Sequence, residues 1–210
     1  MRKLLLGAGA AALMAIALPA SAATVFFSDF NDVAVADHGY TTVSSVDGWT
    51  GGANGIELQD NVAGSPVSGL LNDNFVELDS TANSSMFRTI DAGTYDLSFL
   101  YSARPGIAQG SNGISVYLNG VLLNPPGNLD VAGGSDTQWT TQTAHFTATA
   151  NSVLSFAATG TSDSLGGYLD NIQLSTAVPE PTSWAMMIVG FFGLGATLRR
   201  ARRTPVLVRA

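Results

Sequence analysis

Thr94-Tyr95-Asp96-Leu97-Ser98-Phe99-Leu100-Tyr101 alternates with a period of two: Tyr95, Leu97, Phe99 and Tyr101 fall on one side, Thr94, Asp96 and Ser98 on the other. Successive strand residues point to opposite faces, so this stretch predicts a strand with one face in a core and the other in water. Working outward, short runs of the same character recur at 24–27, 56–58, 75–78, 85–90, 114–118, 121–123, 140–148, 153–158 and 168–174. Asn119-Gly120 separates two of them and marks a hairpin, because both residues tolerate positive φ. Many short strands at regular turn spacing predict an all-β protein, a single jelly-roll β-sandwich.

Composition agrees. Only 12% of the 210 residues are charged and 23 are glycine, which favours strands and turns over helices. Seven of the nine basic residues, Arg2, Lys3, Arg199, Arg200, Arg202, Arg203 and Arg209, lie in the terminal segments. Residues 24–178 hold fifteen acidic side chains against Arg88 and Arg104 alone. Nucleic acid is excluded as a partner, since phosphates must be met by cations this region lacks. An acidic polysaccharide would be repelled unless divalent cations bridged it. The chain has no cysteine, so an exported fold would be held by packing or a metal rather than by disulfides.

The two ends carry an address. Arg2 and Lys3 precede an apolar run at 4–18, and Pro19-Ala20-Ser21-Ala22 forms a small-residue cleavage site. This is the pattern of a secretory signal peptide over 1–22, too short for a membrane anchor. At the other end Pro179-Glu180-Pro181 precedes an uncharged run over 181–198, followed by Arg199, Arg200, Arg202 and Arg203. Such a run is long enough for a transmembrane helix, which needs ~17–25 residues, and the arginines would stay on the cytoplasmic side.

The order of Pro-Glu-Pro, a tryptophan-led apolar helix (Ser183-Trp184-Ala185-Met186-Met187-Ile188) and an arginine cluster resembles the PEP-CTERM sorting signal over 179–203. Residues 204–210 extend past the arginines further than expected of such tails. The resemblance implies processing by an exosortase, a membrane-embedded enzyme of Gram-negative bacteria that often make exopolysaccharide. The chain would be exported across the inner membrane, anchored transiently, then released to the cell surface or outside.

The middle, 23–178, has its own resemblance. Asp47-Gly48-Trp49, Ile56-Glu57-Leu58, Phe75-Val76-Glu77-Leu78, the run 93–99, Val116-Tyr117-Leu118-Asn119-Gly120 and Leu169-Asp170-Asn171-Ile172 are similar to galactose-binding-like jelly rolls. These include carbohydrate-binding modules and plant cell-wall secreted domains. In such domains an aspartate on the last strand and an acid near the first hold a structural Ca2+; the matching residues here are Asp170 with Asp29 or Asp32. On strand parity Asp170 shares a side with Tyr168, Ile172 and Leu174, so a carboxylate is expected to point inward. There it needs a cation, or else Arg88, Arg104 or a turn amide.

Pyranose rings stack on aromatics, which makes Tyr40, Trp49, Tyr101, Tyr117 and Trp139 candidates, Trp139 foremost because it follows the Gly133-Gly134 loop. Arg104 could meet a sugar hydroxyl or carboxylate, or pair with Glu57 or Glu77. A threonine ladder, Thr141, Thr143, Thr147 and Thr149 interrupted by His145, reads as a solvent-facing strand. No catalytic residue is singled out. His38 and His145 are the only histidines, and G-x-S-x-G and phosphate-loop motifs are absent. The reading is a non-enzymatic surface or matrix protein that binds a neutral polysaccharide or structures an exopolysaccharide layer. The alternative is a secreted polysaccharide hydrolase or lyase using two carboxylates or a tyrosine.

Overall fold

The computed structural model describes residues 21–65, 73–178 and 181–201. Residues 1–20 of the signal peptide expected over 1–22, and Pro179, Glu180, Arg202, Arg203 and 204–210 of the expected sorting signal and tail, lie outside them. Ala22–Ala177 forms one compact unit. Its strands run β1 (Thr24–Ser28), β2 (Gly39–Val43), β3 (Ser45–Val46), β4 (Trp49–Gly51), β5 (Ile56–Asp60), β6 (Asn74–Glu77) and β7 (Ser85–Ile90). They continue with β8 (Gly93–Ser102), β9 (Ile114–Leu118), β10 (Val121–Leu122), β11 (Asn128–Leu129), β12 (Thr140–Ala148), β13 (Ser152–Ala158) and β14 (Tyr168–Thr176).

The first sheet has the order β12-β8-β14-β6-β5-β2, with β1 also on β14; the second has β10-β9-β13-β7-β4-β3, with β11 also on β9. All named pairings are antiparallel, as in a jelly roll. Strand β8 behaves as its alternation predicts: Tyr95, Leu97, Phe99 and Tyr101 are all buried. Between the sheets, Phe26, Trp49, Phe156 and Phe99 form a chain of edge-to-face rings with centroids 5.0–5.7 Å apart. The Trp49 indole N–H donates to Ser28 Oγ at 3.0 Å, so even this fully buried ring leaves no polar atom unpaired. Asn119 and Gly120, both at positive φ, close the β9–β10 hairpin.

Strands β2, β3, β4 and β11 have no counterpart in the sequence reading. Three of them are two or three residues long, too short to show a period, and β2 is a half-exposed edge strand.

One expectation is overturned at β14. Against β8, Asp170 lies opposite Leu100 but Gln173 lies opposite Ser98, so β14 has one extra residue and bulges. The bulge, with Asn171 at φ 50°, reverses the parity. Leu169, Ile172 and Leu174 join the inter-sheet core, whereas Tyr168 packs with Val62 and Phe75 in a separate cluster. Asp170, two residues on from Tyr168, therefore points away from the core, although it is fully buried.

Helix α1 (Pro181–Ala201) belongs to the other unit. Pro181 opens it, a position where the missing N–H costs nothing, and Arg199 and Arg200 fall in its last turn. Among the described residues no helix is long and apolar enough to cross a membrane.

Candidate functional site

Strand β12 turns its even-numbered residues inward. Ala144, Phe146 and Ala148 are buried, but Gln142 and Thr140 on the same side are polar, and both line a groove of about 310 Å3 at the end of the sandwich. Tyr101, Ala103 and Gln138 also line it, facing Asn128, Leu129, Asp130, Val131 and Ala132. The volume is at the lower end of the ~300–1,000 Å3 usual for small-molecule sites.

Most polar atoms around the groove are already committed, which fixes the orientation of the rest. The Tyr101 hydroxyl donates to the Asn112 carbonyl at 3.0 Å, and burial pushes its phenol up to about 12, so it stays a neutral wall. Asp130 Oδ1 accepts from the Gly110 N–H at 3.0 Å. Gln138 Nε2 donates to the Thr137 carbonyl and Gln142 Nε2 to Thr140 Oγ1. Asp130 Oδ2, Gln138 Oε1 and Gln142 Oε1 accept no hydrogen bond among the described residues. Beside the apolar surface of Ala103, Leu129 and Val131, such acceptors can receive hydroxyl protons from a polyol. Among the described residues Asp130 is the one carboxylate lining the groove.

Trp139 follows Gln138 directly and faces the opposite way. On the outer side of the first sheet it packs edge-on to Phe75 (5.6 Å) and stacks near Tyr168 (6.4 Å, 29°). Below this cluster lies a buried polar network. Arg104 Nη1 donates to Glu77 Oε2 at 2.7 Å, and Gln59 Nε2 donates to both Glu57 Oε1 (2.8 Å) and Glu77 Oε2 (2.5 Å). The Gly166 N–H donates to Glu77 Oε1. Burial pushes the Glu77 carboxyl up to about 8, opposed by the Arg104 charge. Of the two pairing partners expected for Arg104, Glu77 is the one bonded. The Trp139 indole nitrogen and Tyr168 hydroxyl are buried and have no hydrogen-bond partner among the described residues.

The acidic residues collect at a third place. Along one edge of β14, β6 pairs at Tyr168–Leu169 and β1 at Ile172–Ser175, so Asp170 sits where the partner strand changes. Asp29 follows β1 and Asp73 precedes β6, which brings both toward Asp170. Burial, together with these two carboxylates, pushes the Asp170 carboxyl up to about 8. Its oxygens accept from the Asn171 N–H (2.6 Å) and side-chain amide (3.1 Å). Asp32 lies instead toward Asp47, as does Asp29; Asp47 accepts from the Phe30 N–H at 2.9 Å. Among the described residues no three acidic or histidine side chains form a group that could hold a metal. The donor set suits an oxygen-seeking cation in chemistry, a fully buried carboxylate with acid neighbours, but backbone carbonyls would have to supply the other ligands.

Tyr101, Arg104 and Trp139 are thus divided: Tyr101 lines the groove, while Arg104 and Trp139 belong to the outer cluster. Gln138, Gln142 and Asp130 escaped the sequence reading. The signal that could have found two of these is the inward parity of Phe146 and Ala144 carried further, to Gln142 and Gln138.

No protein-family model matches the chain, and no curated protein matches it. Among solved structures it is similar to a family 35 carbohydrate binding module from Clostridium thermocellum, at 14% identity over 60% of this chain and 95% of that one, with a TM-score of 0.39. It is also similar to the CBM22-1 xylan-binding domain of Paenibacillus barcinonensis Xyn10C, at 10% identity over 76% and 97%, with a TM-score of 0.44. A third is the K1 cleaved adhesin domain of Lys-gingipain from Porphyromonas gingivalis, at 14% identity over 74% and 99%, with a TM-score of 0.44.

Proposed function

We propose that this chain is an exported, non-enzymatic carbohydrate-binding protein whose jelly roll takes a neutral saccharide in the groove beside Tyr101. The observation that carries the reading is the change from Phe146 and Ala144 to Gln142 and Thr140 on the inward side of β12, where a recess of about 310 Å3 is lined also by Asp130 and Gln138. Unused oxygen acceptors beside apolar surface suit a ring that has hydroxyls at its edge and C–H groups on its face. Arg104 and Trp139 would act behind the groove, the ion pair with Glu77 holding the end of β8 in place.

A glycan array with the full chain and its Gln138→Ala/Gln142→Ala variant tests this. Binding to a neutral glycan that falls at least tenfold in the variant is expected; no binding to any neutral glycan would leave only a structural role in a polysaccharide layer.

The terminal segments support export and sorting: signal peptide, Pro179-Glu180-Pro181, tail helix and arginines, with an exosortase as the processing partner. Mass spectrometry of the exported protein should find the tail removed near Pro181, and a Glu180→Ala variant should keep it. In the same spirit Asp170 with Asp29 is the place for a structural Ca2+, Asp32 lying further off beside Asp47. If so, Ca2+ raises the unfolding midpoint over chelator, because a ligand of the native state alone stabilises it by mass action. An unchanged midpoint would leave Asp170 held by Asn171 alone.

A further inference from the structure

The second sheet has an outer face unlike the rest of this acidic domain. Its strands β3, β4, β7, β9, β10, β11 and β13 contain no Asp, Glu, Lys or His, and a single arginine. That residue, Arg88, is turned inward: its guanidinium lies 4.1 Å from the Phe26 ring centre and donates to the Asp47 carbonyl. The inward residues of β7, β13 and β9, among them Met86, Ile90, Leu154, Phe156, Ile114 and Val116, form the core. The alternate positions therefore face out.

Register aligns these outward residues in rows. Ser155 on β13 is opposite Tyr117 on β9 and also opposite Phe87 on β7. Beyond them Leu122 is opposite Tyr117 and Thr50 is opposite Phe87. One straight row thus reads Leu122, Tyr117, Ser155, Phe87, Thr50. Phe87 is 39% exposed and Leu122 43%. The two aromatic residues are two strand spacings apart, ~10 Å, with a small hydroxyl residue between them.

We propose that this outer face binds an extended chain of a neutral polysaccharide, with Phe87 and Tyr117 under alternate sugar rings, Ser155 meeting hydroxyls between them and Thr50 those beyond Phe87. The ~10 Å separation is the length of about two linked pyranose rings, and strand pairing fixes it without any loop. An uncharged face in a domain rich in carboxylates also specifies an uncharged partner: an anionic polymer would be repelled by the rest of the surface, and a cationic one would go to the acids elsewhere. The alternation of aromatic with Ser and Thr argues against a second protein, whose interface core would be more continuously apolar. The inference shares with the groove reading only the class of ligand. A groove can end-bind or hold a single ring, whereas this row crosses five strands and its two aromatic contacts need about three linked rings or more.

The test is native electrophoresis of the full chain through gels containing hydroxyethylcellulose, galactomannan or arabinoxylan, with alginate as the anionic control. At least one neutral polymer is expected to retard the chain and alginate is not. Phe87→Ser/Tyr117→Ser should weaken the retention by about a hundredfold, at about tenfold for each of two linked contacts. Ser155→Glu, which keeps both rings, should weaken it as well, while a neutral disaccharide, too short to reach both rings, should bind the face variants as it binds the unaltered chain. Equal unfolding midpoints across these variants exclude misfolding as the cause. Absence of retention by all three neutral polymers, or retention that survives both face variants, overturns the proposal. So does a native dimer that the face variants convert to monomer without change in retention, which would assign the face to a second copy.

Discussion

The two outer faces of the sandwich are built by the same alternation and end up opposite in character. On the first sheet the outward positions Glu57, Gln59, Glu77 and Asp170 are themselves buried, and Tyr168 and Phe75 pack with Val62 to form a second small core. On the second sheet the outward positions of β7 and β13 are Ser, Thr, Phe, Val and Ala, uncharged and at least in part open to water. A polar group withdrawn from water must find partners, so the first face is held rigid by a network in which losing one member strands another. The second face has no such dependence and is free to serve a partner.

The largest expected effect of breaking that contrast is at Arg104. Above about pH 8, where Glu77 is ionised, Arg104→Ala leaves its carboxylate buried without its ion-pair partner and should cost ~3–5 kcal/mol in denaturant unfolding. A loss below about 1 kcal/mol would mean that the first face is as loosely held as the second. Next comes pH. The folded Glu77 carboxyl is at about 8 against an ordinary 4.5, so the native state keeps a proton that the unfolded chain has released. Its contribution to stability is therefore complete below about pH 4.5 and is lost as pH rises through about 8. The thermal midpoint should fall by several degrees over that window, and Glu77→Gln should flatten part of the fall; a midpoint that rises instead would reverse the assignment.

Smaller effects sharpen the comparison. Tyr168→Phe removes a buried hydroxyl without a partner among the described residues, so it should be neutral or stabilise by up to ~1 kcal/mol, not destabilise. Phe87→Ser, on the open face of the second sheet, should change stability by no more than ~0.5 kcal/mol. A large loss there would show that Phe87 belongs to the fold instead of to a binding face.

Much of this could be read in the chain. The period of two in 94–101 and 140–148 identified which side of β8 and β12 is buried, and Asn119-Gly120 located a hairpin. The same rule failed at 168–174, where a single bulge moved Tyr168 and Asp170 away from the core; no local pattern announces an extra residue, because it is defined only against the neighbouring strand. Trp139 was the conspicuous aromatic and Gln142 the inconspicuous polar residue, yet Gln142 lines the groove and Trp139 is packed against Phe75 and Tyr168.

By itself the sequence determined the strand periods, the acidic middle, the address-like ends and the absence of catalytic motifs, since each depends on residue type and spacing along the chain. Only the tertiary structure decided that Asp29 and Asp73 converge on Asp170, that Arg104 meets Glu77, and that Phe87 and Tyr117 flank Ser155. Those neighbours come from different strands, and it is sheet pairing and register, which involve residues far apart in sequence, that bring them together.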